Sequence, residues 1–557
     1  MAESAQEIQR WVGYPSPKEG PDVPFVRADD KNPAFRGWLF SVSLKLDSSN
    51  RPYGTNVKMN ALRNIRELDE YHERYDSFLS QTIHRTTKSS DDLDIKSDPV
   101  IPEESAGRYR SVAEYHALYR TGKLTPLAVA ESLLPLIRRD TSPPGAYSVA
   151  FTDSDAEEIL EAAKASTLRY QQGNPLRYRS HRGRKRNDSM SGALIMGKLN
   201  MHELGADTTN NNTNWGTPKN PHNDYYYPGG SSGGPAYAVS SGLIPFALGS
   251  DGGGSIRIPS SFCGIYGLKP SHARVEDTGS TVTVNGPLAS TMADLEVAYR
   301  ILAKPNPSDP IASLFTPPEA LRNPRPKVIG IYKDCIILVI RLFQSQFLTA
   351  LKVNLPTPMT ILAELAARAK TRPFSPSNWL QDVNPSNKIL LTIGAYTPAR
   401  DYLLAQQLRN LLMQHLSFLF KKHPGLIIVT PTSPIPGWEI VHEGRLAIWS
   451  FSNQNKSVRN MEYVWLANFT GLPAISCPVG YVDPKKGEGK IPVGIMGCGE
   501  WGGEETLIEF GKEVEAWLGR ENEGGGRKLP KRWIDVVSVA KKSDDVKVVE
   551  GSQEGGY

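Results

Sequence analysis

The sequence predicts an α/β fold. Short apolar segments with strand character recur along the chain, and the stretches between them carry apolar residues at helical spacing. This alternation of strands and helices is typical of folds in which helices cover a sheet. The predicted strands that lead to this conclusion lie at 193–197, 244–250, 327–332, 426–431 and 473–480.

The composition is that of a globular protein. Of the 557 residues, 39% are hydrophobic and 22% are charged, which excludes a wholly disordered chain. The length suits either several modules or one unusually large α/β domain. A formal net charge of +5 is small for this length and does not indicate a nucleic-acid partner.

The cysteines and the N-terminal sequence indicate in which cellular compartment the protein is expected. No C-x-x-C pair occurs, so neither a disulfide framework nor a zinc site is indicated. The N-terminus lacks the features of a signal peptide, and the most apolar stretch, 335–340, is far shorter than the roughly 20 residues of a membrane span. We therefore expect a cytoplasmic protein without a membrane span. The widely spaced cysteines are Cys263, Cys335, Cys477 and Cys498.

The first elements follow a polar, proline-containing start. We predict an N-terminal extension and linker over 1–105, with one helical stretch near 57–83. Two helices should then occupy 111–139, with Thr125 as N-cap and Pro126 in the first turn of the second.

The next segments lead towards the informative part of the chain. A helix is predicted at about 153–171, and the basic run 177–186 follows it. That run is either a nuclear-localisation or nucleic-acid patch or a solvated loop, and we prefer the loop. After the strand at 193–197, a helix is predicted at 235–242, and the polar C-terminal tail over 521–557 should fray.

The stretch 228–271 contains two Gly/Ser turns that flank a helix and a strand. In the second turn, Gly252, Gly253 and Gly254 precede Ser255. Glycines allow successive backbone N–H groups to approach a ligand closely, because no Cβ obstructs them. Such donors stabilise a developing oxyanion, so the turn suits an acyl-transfer nucleophile. The alternative interpretation is a flexible glycine loop.

The spacing of the two turns resembles the amidase signature family. Ser231 lies in GGSSGG, 24 residues before Ser255, and further similarity occurs at 197–205, 430–436 and 468–480. The resemblance covers roughly 106–520 and implies a large mixed β-sheet flanked by helices. It also implies hydrolysis of carboxylic amides through an acyl-enzyme, with a small-molecule amide as substrate and no cofactor.

The resemblance assigns roles to residues of this chain. Ser255 takes the place of the nucleophile, and Ser231 that of a second serine in a cis peptide, through which a lysine acts as base. The backbone N–H groups of the three glycines and of Ser255 take the place of the oxyanion hole. Three neighbours match residues that support the site in the family, and two of them, Asp251 and Arg257, are expected to form a pair. The supporting residues are Ser232, Asp251 and Arg257.

The chain departs from the family at the base. The family carries its lysine on a strand in a Gly-x-Pro segment followed by Lys-Asp, and then a helix. Only about 19 residues separate Gly173 from Ala193, whereas such a strand, helix and loops need about 25 or more. The segment is either lost from the protein or missing from the assembled sequence. Lys185 is a poor substitute because no apolar strand places it, and we interpret Lys198 as structural.

Other functions compete with amide hydrolysis. The GGSSG at 229–233 also fits the nucleophile elbow of an α/β-hydrolase, but that turn must follow a buried strand, and HNDYYYP precedes it here. The sequence has no HExxH motif and no phosphate loop. Two alternatives remain open: an impaired amidase-like protein that binds amides without hydrolysing them, and an amidotransferase subunit. We expect no nucleic-acid partner and allow for a homodimer.

Overall fold

The structure confirms the α/β class. It is a computed structural model, and it describes residues 10–20, 66–75, 77, 80–82, 108–175, 192–275, 279–305, 311–315, 327–331, 356–371, 380, 383–440, 454–521 and 527–542. The basic run 177–186 and Lys185 lie outside these residues.

Eleven strands occur in the described ranges, and seven of them form one mixed sheet with the order β5-β7-β6-β10-β11-β9-β8. Strands β8 and β9 are parallel, and the other neighbours are antiparallel. Two small sheets pair β1 with β2 and β3 with β4. The strands are β1 (Arg10–Val12), β2 (Ser80–Thr82), β3 (Phe151–Asp153), β4 (Lys198–Leu199), β5 (Phe246–Asp251), β6 (Tyr266–Lys269), β7 (Val284–Ala289), β8 (Val328–Ile331), β9 (Leu426–Pro431), β10 (Ala474–Val482) and β11 (Ile491–Cys498).

The helices agree with the predicted ones where both exist. Thr125 caps α2 by accepting a hydrogen bond from the Ala128 N–H, and Pro126 opens that helix, as predicted. The helices are α1 (Val112–Arg120), α2 (Pro126–Ile137), α3 (Ala156–Gln171), α4 (Gly233–Ser240), α5 (Arg257–Cys263), α6 (Met292–Leu302), α7 (Pro356–Thr371), α8 (Pro385–Ala395), α9 (Ala399–Lys422), α10 (Gln454–Asn460), α11 (Trp465–Phe469) and α12 (Glu504–Glu521). Residues 536–542 are also helical. Short 3-10 helices lie at Arg66–Glu70, Ser148–Ala150, Glu203–Gly205 and Ala312–Leu314.

The core lies on both faces of the large sheet, because alternate residues of a strand point to opposite sides. Ile428 and Ala474 pack on the face covered by α5, α9 and α11. Their chain neighbours Ile427 and Ile475 pack on the other face, against α6 and α12. Helices therefore cover the central strands on both sides, and α5 is placed directly against β10 and β11.

Two predicted elements are wrong. Residues 193–197 do not form a strand; pairing with β3 begins only at Lys198, and Gly197 directly before it has φ +135°, outside the extended region. The helix near 57–83 is replaced, in its described part, by a 3-10 helix at Arg66–Glu70 and by β2. Here Leu68 and Tyr71 are buried in the core beneath α9, so tertiary packing overrides the helical pattern.

The prediction that the tail frays is wrong for residues 527–542. Val537 and Ala540 are buried against α1 and α2, and Val536 joins a neighbouring cluster that includes α2. The Ile534 N–H donates to the carbonyl oxygen of Ser241 at 2.9 Å. The segment is polar on average, but its few apolar side chains are buried and hold it against the rest of the domain.

Candidate active site

The glycine turn connects the end of β5 to the start of α5. The Asp251 carboxylate accepts hydrogen bonds from the N–H groups of Gly254 (2.7 Å) and Ile256 (3.1 Å), and so holds the turn closed. Gly254 has φ +101°, and a Cβ there would lie 2.5 Å from Val464 Cγ2, so this position requires glycine. Ser255 follows with only 7% of its surface exposed.

The turn presents fewer free donors than the resemblance implies. The Gly254 N–H is committed to Asp251. Within the described residues, the N–H groups of Gly252, Gly253 and Ser255 have no hydrogen-bond partner. These three groups are therefore available to bind a negatively charged oxygen.

A fully buried network supports the turn from behind. Arg257 Nε donates to Asp251 Oδ2 at 3.0 Å and Arg257 Nη2 to Oδ1 at 2.9 Å, so the expected pair forms. Asn468 accepts from Arg257 at 2.6 Å and donates to the Asp251 backbone carbonyl at 2.8 Å. Burial raises the pKa of a carboxyl, but the charge and hydrogen bonds of Arg257 outweigh it and hold the pKa of Asp251 well below its ordinary value.

Ser231 lies in the first Gly/Ser turn, directly before α4. The peptide bond between Gly230 and Ser231 is cis. The Ser231 carbonyl accepts a hydrogen bond from the His202 N–H at 3.0 Å. A Cβ on Gly205 would lie 3.5 Å from Ser231 Oγ. The 3-10 helix Glu203–Gly205 therefore lies close to the Ser231 hydroxyl.

Backbone hydrogen bonding brings the two turns together. The Ser232 N–H donates to the Ser255 carbonyl at 3.1 Å, which places Ser231 and Ser255 in adjoining chain segments. Ser232 Oγ also donates to the Ser250 carbonyl and accepts from the Ser250 N–H. Neither the Ser231 nor the Ser255 hydroxyl has a hydrogen-bond partner within the described part of the chain, so both are available to a ligand.

Sequence reasoning missed two residues of this region. Asn468 lies in NFTGLPAISCPVG, a segment that carries the resemblance but had no predicted role. Lys269 is fully buried at the end of β6, and its Nζ donates to the Pro270 carbonyl at 2.8 Å. Burial, and then the charge of Arg257, lower the pKa of Lys269 to about 7. The local sequence GLKPS indicates neither that Lys269 is buried nor that Arg257 lies near it.

The structure bears on the base only through Lys198. This residue is exposed on β4, and its backbone carbonyl accepts a hydrogen bond from Thr152. The interpretation of Lys198 as structural stays a prediction. The rest of the shortened segment, from 176 to 191, lies outside the described residues.

The structure also bears on several other classes of site. Residues 224–228, before the GGSSG turn, are not a strand, so the nucleophile-elbow geometry is missing. Among the described residues, no group of His, Cys, Asp and Glu side chains could hold a metal ion. None of the helices in the described ranges is both long and apolar enough to span a membrane.

Comparison with known sequences identifies relatives over most of the chain. A fatty acid amide hydrolase of Medicago truncatula is 32% identical over 503 residues, which are 78% of this chain and 79% of that relative. One subunit of the glutamyl-tRNA(Gln) amidotransferase of Thermus thermophilus is 30% identical over 365 residues, or 57% of this chain and 74% of the relative. The match to the plant hydrolase is therefore the longer of the two.

Solved structures and a family model complete the comparison. A bacterial aryl acylamidase of the amidase signature family superimposes with a TM-score of 0.59 at 21% identity, over 78% of this chain and 99% of that structure, which shows a common fold. The protein-family model described as Amidase matches residues 189–353 and 346–508, more than half of the chain. With the paired Gly/Ser turns and the mixed sheet, these matches establish that the chain belongs to the amidase signature family.

Proposed function

We propose that this amide hydrolase works through Ser255 as nucleophile, with Ser231 as its proton relay. Amide hydrolysis itself follows from family membership. One observation carries the assignment of residues. The hydrogen bond from the Ser232 N–H to the Ser255 carbonyl joins the two serine turns, and Asp251 holds the second turn with three N–H groups free.

In the proposed reaction, Ser255 Oγ attacks the amide carbonyl carbon. The carbonyl oxygen becomes an oxyanion that accepts hydrogen bonds from the N–H groups of Gly252, Gly253 and Ser255. Losing one such donor costs about 2.7–4 kcal/mol of transition-state stabilisation in other enzymes.

Proton transfer accompanies both halves of the reaction. The proton of the Ser255 hydroxyl passes to Ser231, and a proton from Ser231 goes to the leaving nitrogen as the C–N bond breaks. Water then attacks the acyl-enzyme, giving the carboxylic acid and returning the proton to Ser255. In the family a lysine acts as base through the second serine. The lysine-bearing segment is the one that this chain lacks between Gly173 and Ala193.

The substrate we propose is an amide with an apolar acyl group. The plant relatives are named for fatty acid amides, and the glycine turn here has apolar neighbours in Ile361, Met461 and Val464. The longer match to those hydrolases favours hydrolysis over the role of an amidotransferase subunit. The missing lysine segment is the one observation that supports an amide-binding protein without activity, and the matches to amide hydrolases favour activity over it.

We further propose a cytoplasmic location, supported by three buried and unpaired cysteines among the described residues. A homodimer stays a prediction, which light scattering of the purified protein would test.

An active-site probe tests the assignment of the nucleophile. A fluorophosphonate should label Ser255, and peptide mass spectrometry should locate the adduct on the peptide that contains it. Ser255→Ala should abolish labelling, while Ser241→Ala, a buried serine whose hydroxyl has no partner among the described residues, should leave it unchanged. Labelling of another serine that persists in Ser255→Ala would overturn the assignment.

A further inference from the structure

Apolar side chains surround the glycine turn. A Cβ on Gly252 would lie 3.2 Å from Ile361 Cδ1, beside the Thr283 hydroxyl, and a Cβ on Gly253 would lie 3.2 Å from Met461 Sδ. Ile361 and Met461 come from α7 and from the segment before α11. The two side chains therefore lie beside the same glycines whose N–H groups are free.

The two side chains differ from their neighbours in exposure. Val464, which packs against Gly254, is fully buried, so it belongs to the core. Ile361 and Met461 pack on that same core but are only partly buried. Each of these two side chains therefore keeps part of its apolar surface accessible.

Polar contacts fix the position of Ile361. Glu364, one helical turn further along α7, accepts hydrogen bonds from the Thr281 hydroxyl (2.6 Å) and N–H (3.1 Å) and from the Ser280 hydroxyl (2.8 Å). Residues three apart on a helix lie on the same face. The Glu364 contacts therefore anchor the face of α7 that carries Ile361.

The neighbouring helix α8 is attached to the other serine turn. Glu203 accepts hydrogen bonds from the Asn384 N–H at 3.0 Å and from the Asn387 side chain at 2.8 Å. It follows His202, whose N–H binds the Ser231 carbonyl. Because α7 and α8 pack together, this helix pair bridges the two serine segments.

We infer that Ile361 and Met461 are specificity-determining residues, which limit the bulk of the acyl group next to the reacting carbonyl. The inference rests on the proposed function. An amide oxygen bound about 2.7–3.1 Å from the free N–H groups brings the first acyl carbons close to these two side chains. One methylene in such an apolar site changes selectivity by about 10–200-fold.

Substrate selectivity tests the inference. The ratio of kcat/KM for the p-nitroanilide of 2,2-dimethylbutanoate to that of butanoate is measured in the wild type, Ile361→Ala and Met461→Ala. Removing either side chain makes room for the branch, so the ratio should rise about 10-fold or more in at least one variant. Leu403→Ala, on the partly exposed α9, should leave the ratio unchanged.

Two further measurements keep the outcomes separate. Thermal melts show that the variants are folded, and Ile361→Val and Met461→Leu replace any variant that is not. Labelling rates with linear and branched alkyl fluorophosphonates give the same ratio without turnover. Ratios unchanged in every folded variant would refute the inference alone, whereas a wild type that neither hydrolyses amides nor is labelled would refute the proposed function.

Discussion

Ser231 and Ser255 are held through their backbones, and this leaves their hydroxyls available for chemistry. The Ser231 carbonyl binds the His202 N–H, and the Ser255 carbonyl binds the Ser232 N–H. Removing either hydroxyl therefore leaves the positioning contacts in place. A substitution at these residues should report on the reaction rather than on the fold.

We expect Ser231→Ala to lower kcat by about 10²–10⁴-fold, the usual contribution of general acid–base catalysis, because the proton relay is lost. The melting temperature should stay close to that of the wild type. Steady-state kinetics and a thermal melt measure the two quantities, with Ser241→Ala as control. Unchanged kinetics would remove Ser231 from the mechanism.

Lys269 makes stability depend on pH. Its pKa is about 7 in the folded protein, against an ordinary value of 10.5. Between these values the unfolded chain binds more protons than the folded one, so the contribution of Lys269 to the free energy of unfolding rises with pH. Arg257, Asp251 and Glu504 act on this amine electrostatically.

Denaturant unfolding of the wild type and Lys269→Met between pH 6 and 10 tests this. We expect the difference in free energy of unfolding to shift in favour of the wild type above pH 7, since methionine does not titrate. Loss of the hydrogen bond to Pro270 adds only a constant offset. Lys198→Met, at an exposed position, serves as control, and a difference that is flat with pH would contradict the assignment.

At the scale of elements, the segment 527–542 behaves as part of the domain. Val536 and Val537 are each 1% exposed and pack towards α1 and α2, and Asp535 pairs with Arg110 at 2.9 Å. Helix α1 therefore depends on a segment more than 400 residues further along the chain. The composition of the segment did not reveal this packing, because only a few of its residues, mainly valines, are buried.

Deleting residues 527–557 should lower the free energy of unfolding by about 3 kcal/mol or more, since each buried valine contributes about 1.5–3 kcal/mol. Deleting only 543–557 should have little effect, because most residues of that stretch are Gly, Ser, Asp or Glu. Denaturant unfolding of both variants is the measurement. Equal stability of the two deletions would show that the packed segment contributes nothing.

For the whole molecule, the decisive group is the base. Inserting a Gly-x-Pro segment followed by Lys-Asp between Gly173 and Ala193 should raise the rate of amide hydrolysis by about 10²–10⁴-fold. The same insertion with methionine in place of that lysine is the matched control. Thermal melts of all three proteins distinguish a folded but inactive protein from an unfolded one.

Rapid hydrolysis by the present sequence would contradict this prediction. A well-folded chain without the insertion that hydrolyses amides as fast as the version with it would mean that another group replaces the lysine. Lys185 and Lys198 would be the first residues to substitute.

Local patterns in the sequence were enough for the fold class and for the site-bearing turns. The cap at Thr125, the strand β9 and the glycine turn before Ser255 depend on residues close together in the chain, so spacing and side-chain type predict them. The resemblance of the two Gly/Ser turns then led to the family.

Contacts between distant parts of the chain required the tertiary structure. Asn468 accepts a hydrogen bond from Arg257, which lies 211 positions away in the sequence. Ile361 lies beside Gly252, from which it is separated by more than 100 positions in the sequence. Residues 193–197 have the composition of a strand, yet only Lys198 and Leu199 pair with β3. Burial, charge pairing and strand pairing depend on residues that are close in space. A local sequence pattern shows which residues can make such contacts, whereas their partners are determined only when the whole chain packs.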